Sequence, residues 1–358
     1  MANRSVTTAV KTRNLNNTFY ISRNYRPTNN AANKPKTDIE HILDAMGIRN
    51  LGLKQSRLKS SALGAIVSFL SITKGLFMLP SKSYLVVQYP LSKYYNYITW
   101  GARVKGSKII LVIHDVHSLM KGKLAVEKEM NRFNIADKII VHNASMKHWF
   151  EEQGCTATLE TLELFDYLNT LDLKIEQNPE MQKPYQLVVA GGLTVDKSAF
   201  IYKMQQQRVK NFFFNLYGNG FSTQNLDATK ELLHYKGSFP PDEVAQHIKG
   251  HFGLVWGGNS VDKCSGILGE YLRYNNPHKT SLYLLCGLPI IIWDKAAIAP
   301  YIVSQGAGIA IASLLELDAI LEQLTIEEYQ AMSQRAIELR EKVTSGGFLK
   351  DAIGRLQL

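Results

Sequence analysis

From about residue 18 the chain alternates short apolar runs that end on polar or glycine residues with stretches of helical period. "NTFYIS" reads as a short strand, followed by the polar loop "RNYRPTNNAANKPK". A helix is expected from Thr37, where Thr37-Asp38-Ile39-Glu40 has the spacing of a capping box. "SYLVVQYP", "SKIILVIHDV" and "ADKIIVHN" are near-continuous apolar strands with polar residues at their carboxyl ends, the pattern of a buried parallel sheet. "SMKHWFEEQG" follows as a helix with Gly154 as its stop. After the linker-like "NPEMQKP" the pattern restarts. "YQLVVAGGL", "NFFFNLYGNG" and "FGLVWGG" are three strands that each run into glycines. "PDEVAQHIKG" and "SLYLLCG" read as helices, "LPIIIW" as a buried strand, and "TIEEYQAMSQRAIELREKV" as an amphipathic helix.

Two successive βα series predict an α/β protein with two doubly wound, Rossmann-like domains. The expected boundaries are an extension over 1–17, a first domain over 18–175, a linker over 176–184, a second domain over 185–325 and closing helices over 326–358. In such sheets ligands sit beyond the carboxyl ends of the strands, where the polar residues of this chain collect.

Charge changes this picture on one side only. The formal net charge is +10, and residues 1–80 carry twelve Lys or Arg against Asp38, Glu40 and Asp44, a local +9. A basic face of this kind suits phosphates of a membrane or a nucleic acid, or serves solubility alone. A nucleic-acid reader is disfavoured, because the segment lacks interleaved aromatics and a reading helix. "SALGAIVSFLSITKGLFMLP" is too interrupted by Ser and Lys74 for a membrane span and is expected to be an amphipathic helix. It can dock in the domain core or lie on a membrane surface. Three separated cysteines and polar first residues fit a cytoplasmic chain without disulfides.

Several constellations are candidates for chemistry. The richest is "YNNPHK", where Tyr274, Asn275, Asn276, His278 and Lys279 precede an apolar helix. Helix-start amides beside a lysine make an anion site, although Asn276-Pro277 can also be only a capped turn. Gly191 and Gly192 would let backbone approach a phosphate, with Thr194, Lys197 and Ser198 close in sequence. The loop is neither a dinucleotide fingerprint nor a Walker loop, so it is weak alone. "IHDVHSLM" places His114, Asp115 and His117 at a strand end. Asp115 can serve as general base or as a helix cap, and His114 as a hydrogen-bonding partner of substrate. A metal reading of His114 and His117 lacks a completing ligand cluster, and no metal is expected. Asp166 and Tyr167 are placed at a cleft edge, while Tyr89 and Trp149 read as core or ligand contacts.

Taken together, "IHDVHSLM", "ADKIIVHNASMKHWF", "LFDYL", "FNLYGNG", "YKGSFPPDEV", "FGLVWGG" and "GEYLRYNNPHKTSLYLLCGLPIIIWDKAAIA" resemble bacterial glycosyltransferases of the β-1,6-galactofuranosyltransferase type. These are related to streptococcal glucosyltransferases acting on serine-rich adhesins. The resemblance implies a GT-B fold with a cleft between the domains and a final helix packing back on the first domain. It implies transfer of galactofuranose or glucose from a UDP-sugar to a hydroxyl of a growing surface glycan, without metal or other cofactor. Lys279, Tyr274, Asn275, Asn276 and His278 would form the donor pocket, with Gly191, Gly192 and Lys197 facing the same diphosphate. Arg23, Asn24, Asn29, Asn30 and Lys34 would face the acceptor, which a lipid can carry. Asp115 would be the base of an inverting transfer, or would only position the acceptor in a retaining one. A location at the inner face of the membrane and a homo-oligomer are compatible with the resemblance. A phosphate-binding protein or an inactive transferase-fold subunit remains the alternative.

Overall fold

Strands of the first unit pair only in parallel, so every connection must cross over the sheet. The computed structural model describes residues 15–26, 32–91, 93–121, 125–169, 183–225 and 231–358. The first unit runs β1 (Thr18–Tyr20), α1 (Lys34–Ala45), β2 (Arg49–Asn50), α2 (Ser61–Met78), β3 (Tyr84–Tyr89), α3 (Tyr95–Val104), β4 (Lys108–Ile113), α4 (His117–Lys121), α5 (Val126–Phe133), β5 (Lys138–Val141), α6 (Ala144–Glu152) and β6 (Thr158–Thr161). Its sheet order is β2-β1-β3-β4-β5-β6, which reverses direction of growth between β1 and β3. The central strands are buried on both faces, which is why β4 reads as the unbroken run Ile-Ile-Leu-Val-Ile.

The second unit runs β7 (Tyr185–Ala190), α7 (Val195–Met204), β8 (Phe212–Tyr217), β9 (Leu233–Gly237), α8 (Val244–His247), β10 (Phe252–Val255), α9 (Gly266–Tyr271), α10 (His278–Leu285), β11 (Ile290–Trp293), α11 (Ala299–Ser304), β12 (Gly308–Ile311), α12 (Leu317–Gln323), α13 (Ile326–Thr344) and α14 (Gly347–Arg355). Its order, β9-β8-β7-β10-β11-β12, is the 3-2-1-4-5-6 arrangement of a dinucleotide-binding sheet. The switch point lies between β7 and β10, so a ligand belongs beyond Ala190 and Trp256.

The closing helix α14 packs back on the first unit. Arg355 pairs with Glu160 at 3.1 Å, and the Lys138 ammonium donates to the Leu356 carbonyl. Asp166 is no cleft-edge group: its carboxylate accepts from the Phe348 and Leu349 amides and caps α14. Burial pushes its pKa up to about 7 despite those bonds. Tyr89 and Trp149 are core residues. Of the expected linker and extension, residues 176–182 and 1–14 lie outside the described residues.

Two local expectations are corrected. The helix expected from Thr37 begins at Lys34 with Pro35 in its first turn, and the Thr37 hydroxyl turns back to the Lys34 carbonyl. Proline supplies the fixed φ that starts the helix, which outweighs the capping-box spacing. The helix expected over "PDEVAQHIKG" shrinks to Val244–His247, because residues 240–243 form a turn and Ile248 leaves the helix extended.

Candidate functional site

A cavity of about 540 Å³ opens at the switch point of the second sheet. That volume falls in the ~300–1,000 Å³ range of small-molecule sites. Its walls combine the turn after β7 (Gly191, Gly192, Thr194, Lys197), the turn after β8 (Gly218 to Gly220), the segment Ser238–Phe239, and the start of α10 (His278, Lys279). The two glycine turns touch. A Cβ on Gly218 would lie 1.7 Å from the Gly191 carbonyl oxygen, so only glycine permits this approach. Gly191 itself has φ +132° and nothing within 4 Å of its missing Cβ, leaving its backbone open to the cavity. The stem of Lys197 runs across Gly192, while Ser198 turns away from the cavity and donates to the Gly192 carbonyl at 2.8 Å.

Helix α10 brings the second cation. Its N-cap is Pro277, and no side chain caps the first turn. The positive end of the helix therefore meets the cavity beside Lys279. The Lys279 ammonium lies 3.4 Å from the Trp256 carbonyl at the end of β10. The side chain is only part-exposed, and the crowding of protein about its ammonium pushes the pKa down to about 8. His278 stacks on Tyr167 (4.6 Å, 17°), and burial holds it neutral with a pKa near 3. Its Nδ1 and the Thr194 hydroxyl are buried without a protein partner. Such groups are rare in folded chains and mark places where a ligand or water completes the bonding.

The rest of the "YNNPHK" segment does something else. Asn276 is 3 % exposed and sits between the two units rather than in the cavity. Its Nδ2 donates to the His142 and Glu163 carbonyls, its Oδ1 accepts from Asn143, and its amide donates to His142 Nδ1 at 3.0 Å. The Tyr274 carbonyl accepts from Asn143 at 2.9 Å, and the ring packs against the first unit's core. Asn275 does not line the cavity, and its Oδ1 is buried without a partner. The expectation that Tyr274, Asn275 and Asn276 shape the donor pocket is thus corrected. Short amides there satisfy backbone groups that the joint between the units would otherwise leave unpaired. Ser281, one turn into α10, continues the joint by donating to the Phe165 carbonyl at 2.5 Å.

Across the cleft, the switch point of the first sheet collects Arg23, Gln88 and His114. His114 is 7 % exposed, bonds Gln88 Oε1 through Nε2 at 2.7 Å and lies flat against Phe165. Burial and nearby cations hold it well below the usual histidine range, so it is a neutral hydrogen-bonding group. Asp115 is part-exposed just beyond β4, within the electrostatic reach of Lys36 and Tyr271. At the start of helix α4 the His117 and Ser118 amides donate to the Glu129 carboxylate at 2.9 and 2.7 Å. Sequence reading missed Lys36, whose pKa burial and Arg23 push down to about 8. Its place on α1 became legible only with the parallel pairing of β1 and β3.

Two expected acceptor contacts are structural. Lys34 is buried, bonded to Asp38 at 2.6 Å, to the Leu168 carbonyl at 2.7 Å and to Asp242 of the other unit at 3.4 Å. The Asn24 side chain holds the 56–58 turn through Ser56 and the Leu58 amide. A buried ammonium without those partners is costly, which is why Lys34 is consumed by the fold. Asn29 and Asn30 lie outside the described residues. Among the described residues no group of three or more His, Cys, Asp or Glu could hold a metal ion.

With this geometry in place, comparison with known proteins adds the lineage. The chain matches the models of the Glucosyltransferase 3-like N-terminal domain over residues 18–164 and C-terminal domain over residues 187–356. It is 31% identical over 314 residues to the Beta-1,6-galactofuranosyltransferase WbbI of Escherichia coli (strain K12), covering 86% of this chain and 89% of the relative. It is 26% identical over 257 residues to Glucosyltransferase 3 of Streptococcus gordonii, covering 70% of this chain and 71% of the relative. Among solved structures it superposes on the sucrose-phosphate synthase from Thermosynechococcus elongatus with a TM-score of 0.54 at 12% identity, covering 94% and 98% of the two chains, and so shares the GT-B fold. The chain belongs to the Glucosyltransferase 3-like family and is a glycosyltransferase of GT-B architecture.

Proposed function

We propose that the chain moves a hexose, galactofuranose or glucose, from a UDP-sugar to a hydroxyl of a growing surface glycan, working in the cytoplasm and without a metal ion. The observation that carries this reading is the cavity at the β7/β10 switch point, where glycine backbone, Lys197, Lys279 and an uncapped helix start face one space. Those groups suit a diphosphate, and Phe239 with the apolar Val244 side offers the flat surface a base requires. During transfer the bond between the anomeric carbon and the UDP oxygen breaks while the acceptor oxygen bonds to that carbon. Charge then grows on the departing diphosphate, and Lys279 with the α10 amides stabilises it where it develops. The acceptor oxygen attacks the face of that carbon opposite the departing UDP while its proton passes to Asp115 across the cleft, so a single displacement inverts the configuration.

The test is a panel of UDP-sugars with and without glycan acceptors, read by UDP release and product mass. Turnover with a UDP-hexose that persists in chelator supports the reading. An absence of UDP binding, or turnover only with another nucleotide sugar, overturns it. The competing view of a nucleic-acid-binding module finds no counterpart in the family or in the cavity.

A further inference from the structure

Helix α2 is built inside out. Its buried face consists of Gly64, Ser68, Ser71, Ile72, Gly75 and Leu76. The larger apolar side chains Leu63, Ile66, Phe69, Leu70, Phe77 and Met78 are 49–84% exposed. A helix packed on a soluble core normally turns such residues inward. Here the inner face is fastened by polar bonds and close contact instead. The Ser71 hydroxyl donates to the Ser22 carbonyl at 2.6 Å and accepts from the Leu53 amide at 2.8 Å, and Gly75 abuts Ile21. Of the two placements open from sequence, docking of the apolar face in the core is thereby corrected.

Helix α3 widens the patch. Phe69 and Tyr97 stack at 5.9 Å, and Gly101 lets α3 close on Leu76. This leaves Trp100 and Val104 64% and 68% exposed beside α2. Exposed contiguous apolar surface on this scale marks an interaction face.

The charge around the patch identifies its partner. Between Asp44 and Asp115 the chain carries ten Lys or Arg and not one Asp or Glu. Lys59, Lys74, Lys93 and Arg103 are exposed, and the Lys105 ammonium sits at the rim, bonded to the Phe77 carbonyl at 2.8 Å. Apolar side chains ringed by cations fit an anionic lipid surface. Two copies meeting through this face would set these acid-free segments against each other, which like-charge repulsion opposes. Although α2 is long and apolar enough to cross a membrane (mean hydropathy 1.5 over 18 residues), its polar bonds to the segments that follow β1 and β2 hold it along the domain surface.

We infer that the α2–α3 face lays the enzyme on an anionic membrane. Three residues before Ser60, the N-cap of α2, Arg57 pairs at 3.0 Å with Asp242, the neighbour of cavity-lining Pro241. The patch therefore starts at the mouth of the cleft, and a lipid-borne acceptor would emerge beside it. The docking rests on exposure and charge, independently of the donor.

Vesicle co-sedimentation of the full chain tests it. The chain binds phosphatidylglycerol-containing vesicles, releases them in high salt, and ignores pure phosphatidylcholine. Phe69→Ser and Phe77→Ser each weaken binding roughly tenfold, from the apolar area lost. Lys59→Gln and Lys93→Gln each weaken it roughly fivefold. UDP-induced thermal stabilisation stays at the wild-type value in all four variants, which shows that they are folded and separates docking from donor binding. Absence of vesicle binding, or unchanged binding by the phenylalanine variants, overturns the inference. So does a dimer in analytical ultracentrifugation that Phe77→Ser dissolves, because the face would then belong to a second copy.

Discussion

If the cavity takes the donor as proposed, Lys279 is the residue on which binding turns. It stands at the second position of α10, part-exposed in the cavity, with the Trp256 carbonyl 3.4 Å from its ammonium. Replacing it by alanine removes a charge-assisted contact to the diphosphate, worth roughly 1.5–3 kcal/mol. That corresponds to a roughly 10- to 150-fold weaker UDP Kd. Lys197 and the helix start remain, so binding should be weakened without being abolished. The cavity lies at the surface of a sheet whose core Lys279 does not enter, so the unliganded protein should keep its Tm.

The depressed pKa supplies an independent reading. Crowding lowers the ammonium to about 8 in the free protein, against an ordinary 10.5. A bound diphosphate favours the charged form and moves the pKa back up. Below pH 8 the cation is already charged and UDP affinity should be flat, since the terminal phosphate finishes ionising near pH ~6. Above pH 8 binding must take up a proton, and affinity should fall by about tenfold per pH unit until the pKa of the complex is reached. Calorimetry at pH 8.5 in two buffers of different ionisation enthalpy measures that uptake. Lys279→Ala should abolish both the uptake and the slope. A wild-type Kd that stays flat from pH 7 to 10, or an alanine variant within twofold of wild type, would refute the placement of Lys279 on the phosphates.

Asp115→Asn should leave UDP affinity unchanged and lower kcat by about 10²–10⁴-fold, the usual share of a general base. Full activity in steady-state assays would remove it from that role. Gly218→Ala should lower Tm and eliminate UDP binding, because its Cβ would sit 1.7 Å from the Gly191 oxygen. Overpacking of this kind costs about 1–3 kcal/mol before any strain at φ +149° is added. Dialysis against chelator should leave transfer rates intact, and restoration of a lost rate by Mg²⁺ or Mn²⁺ would contradict a metal-free mechanism.

The sheets were the most legible part, because strands buried on both faces announce themselves as unbroken apolar runs, as in β4 and β11. The phosphate side of the cavity was legible for a related reason: glycines and lysines follow directly on strand ends. What could not be read were residues whose role depends on the other domain. Lys34 resembled an acceptor contact by its place in a polar loop, yet Asp38 lies one turn away and Asp242 more than two hundred positions on. Glu129 carries no sequence signal of its role, yet it is fully buried, accepting from the α4 amides of His117 and Ser118 and from the Tyr89 hydroxyl. Tyr167, expected at a cleft edge, does line the cavity, whereas Phe239 reaches it from a segment with no periodic signal. The exposed face of α2 was invisible for the opposite reason: composition shows an apolar helix, while only packing shows which side is turned out.

The segment 274–279 carries both jobs, and their closeness has a mechanical consequence. Asn276 binds three residues of the first unit, and three positions later Lys279 faces the donor cavity of the second. A single helix start thus anchors the joint and presents its amides to the cavity proposed for the diphosphate, so a shift in one displaces the other. Asn276→Ala tests this coupling. It leaves the Glu163 carbonyl without its donor, at a cost of roughly 1–3 kcal/mol when buried and unpaired, and takes one of two donors from the His142 carbonyl, which keeps the Glu163 amide. Calorimetric Tm should fall by several degrees, and UDP affinity should weaken although Asn276 does not line the cavity. If Tm falls while the UDP Kd is unchanged, the joint and the donor site are independent, and α10 merely passes through both. If both change, the interdomain bond and the phosphate site act as one element, which is what a cleft enzyme needs when leaving-group binding must coincide with correct placement of the acceptor domain.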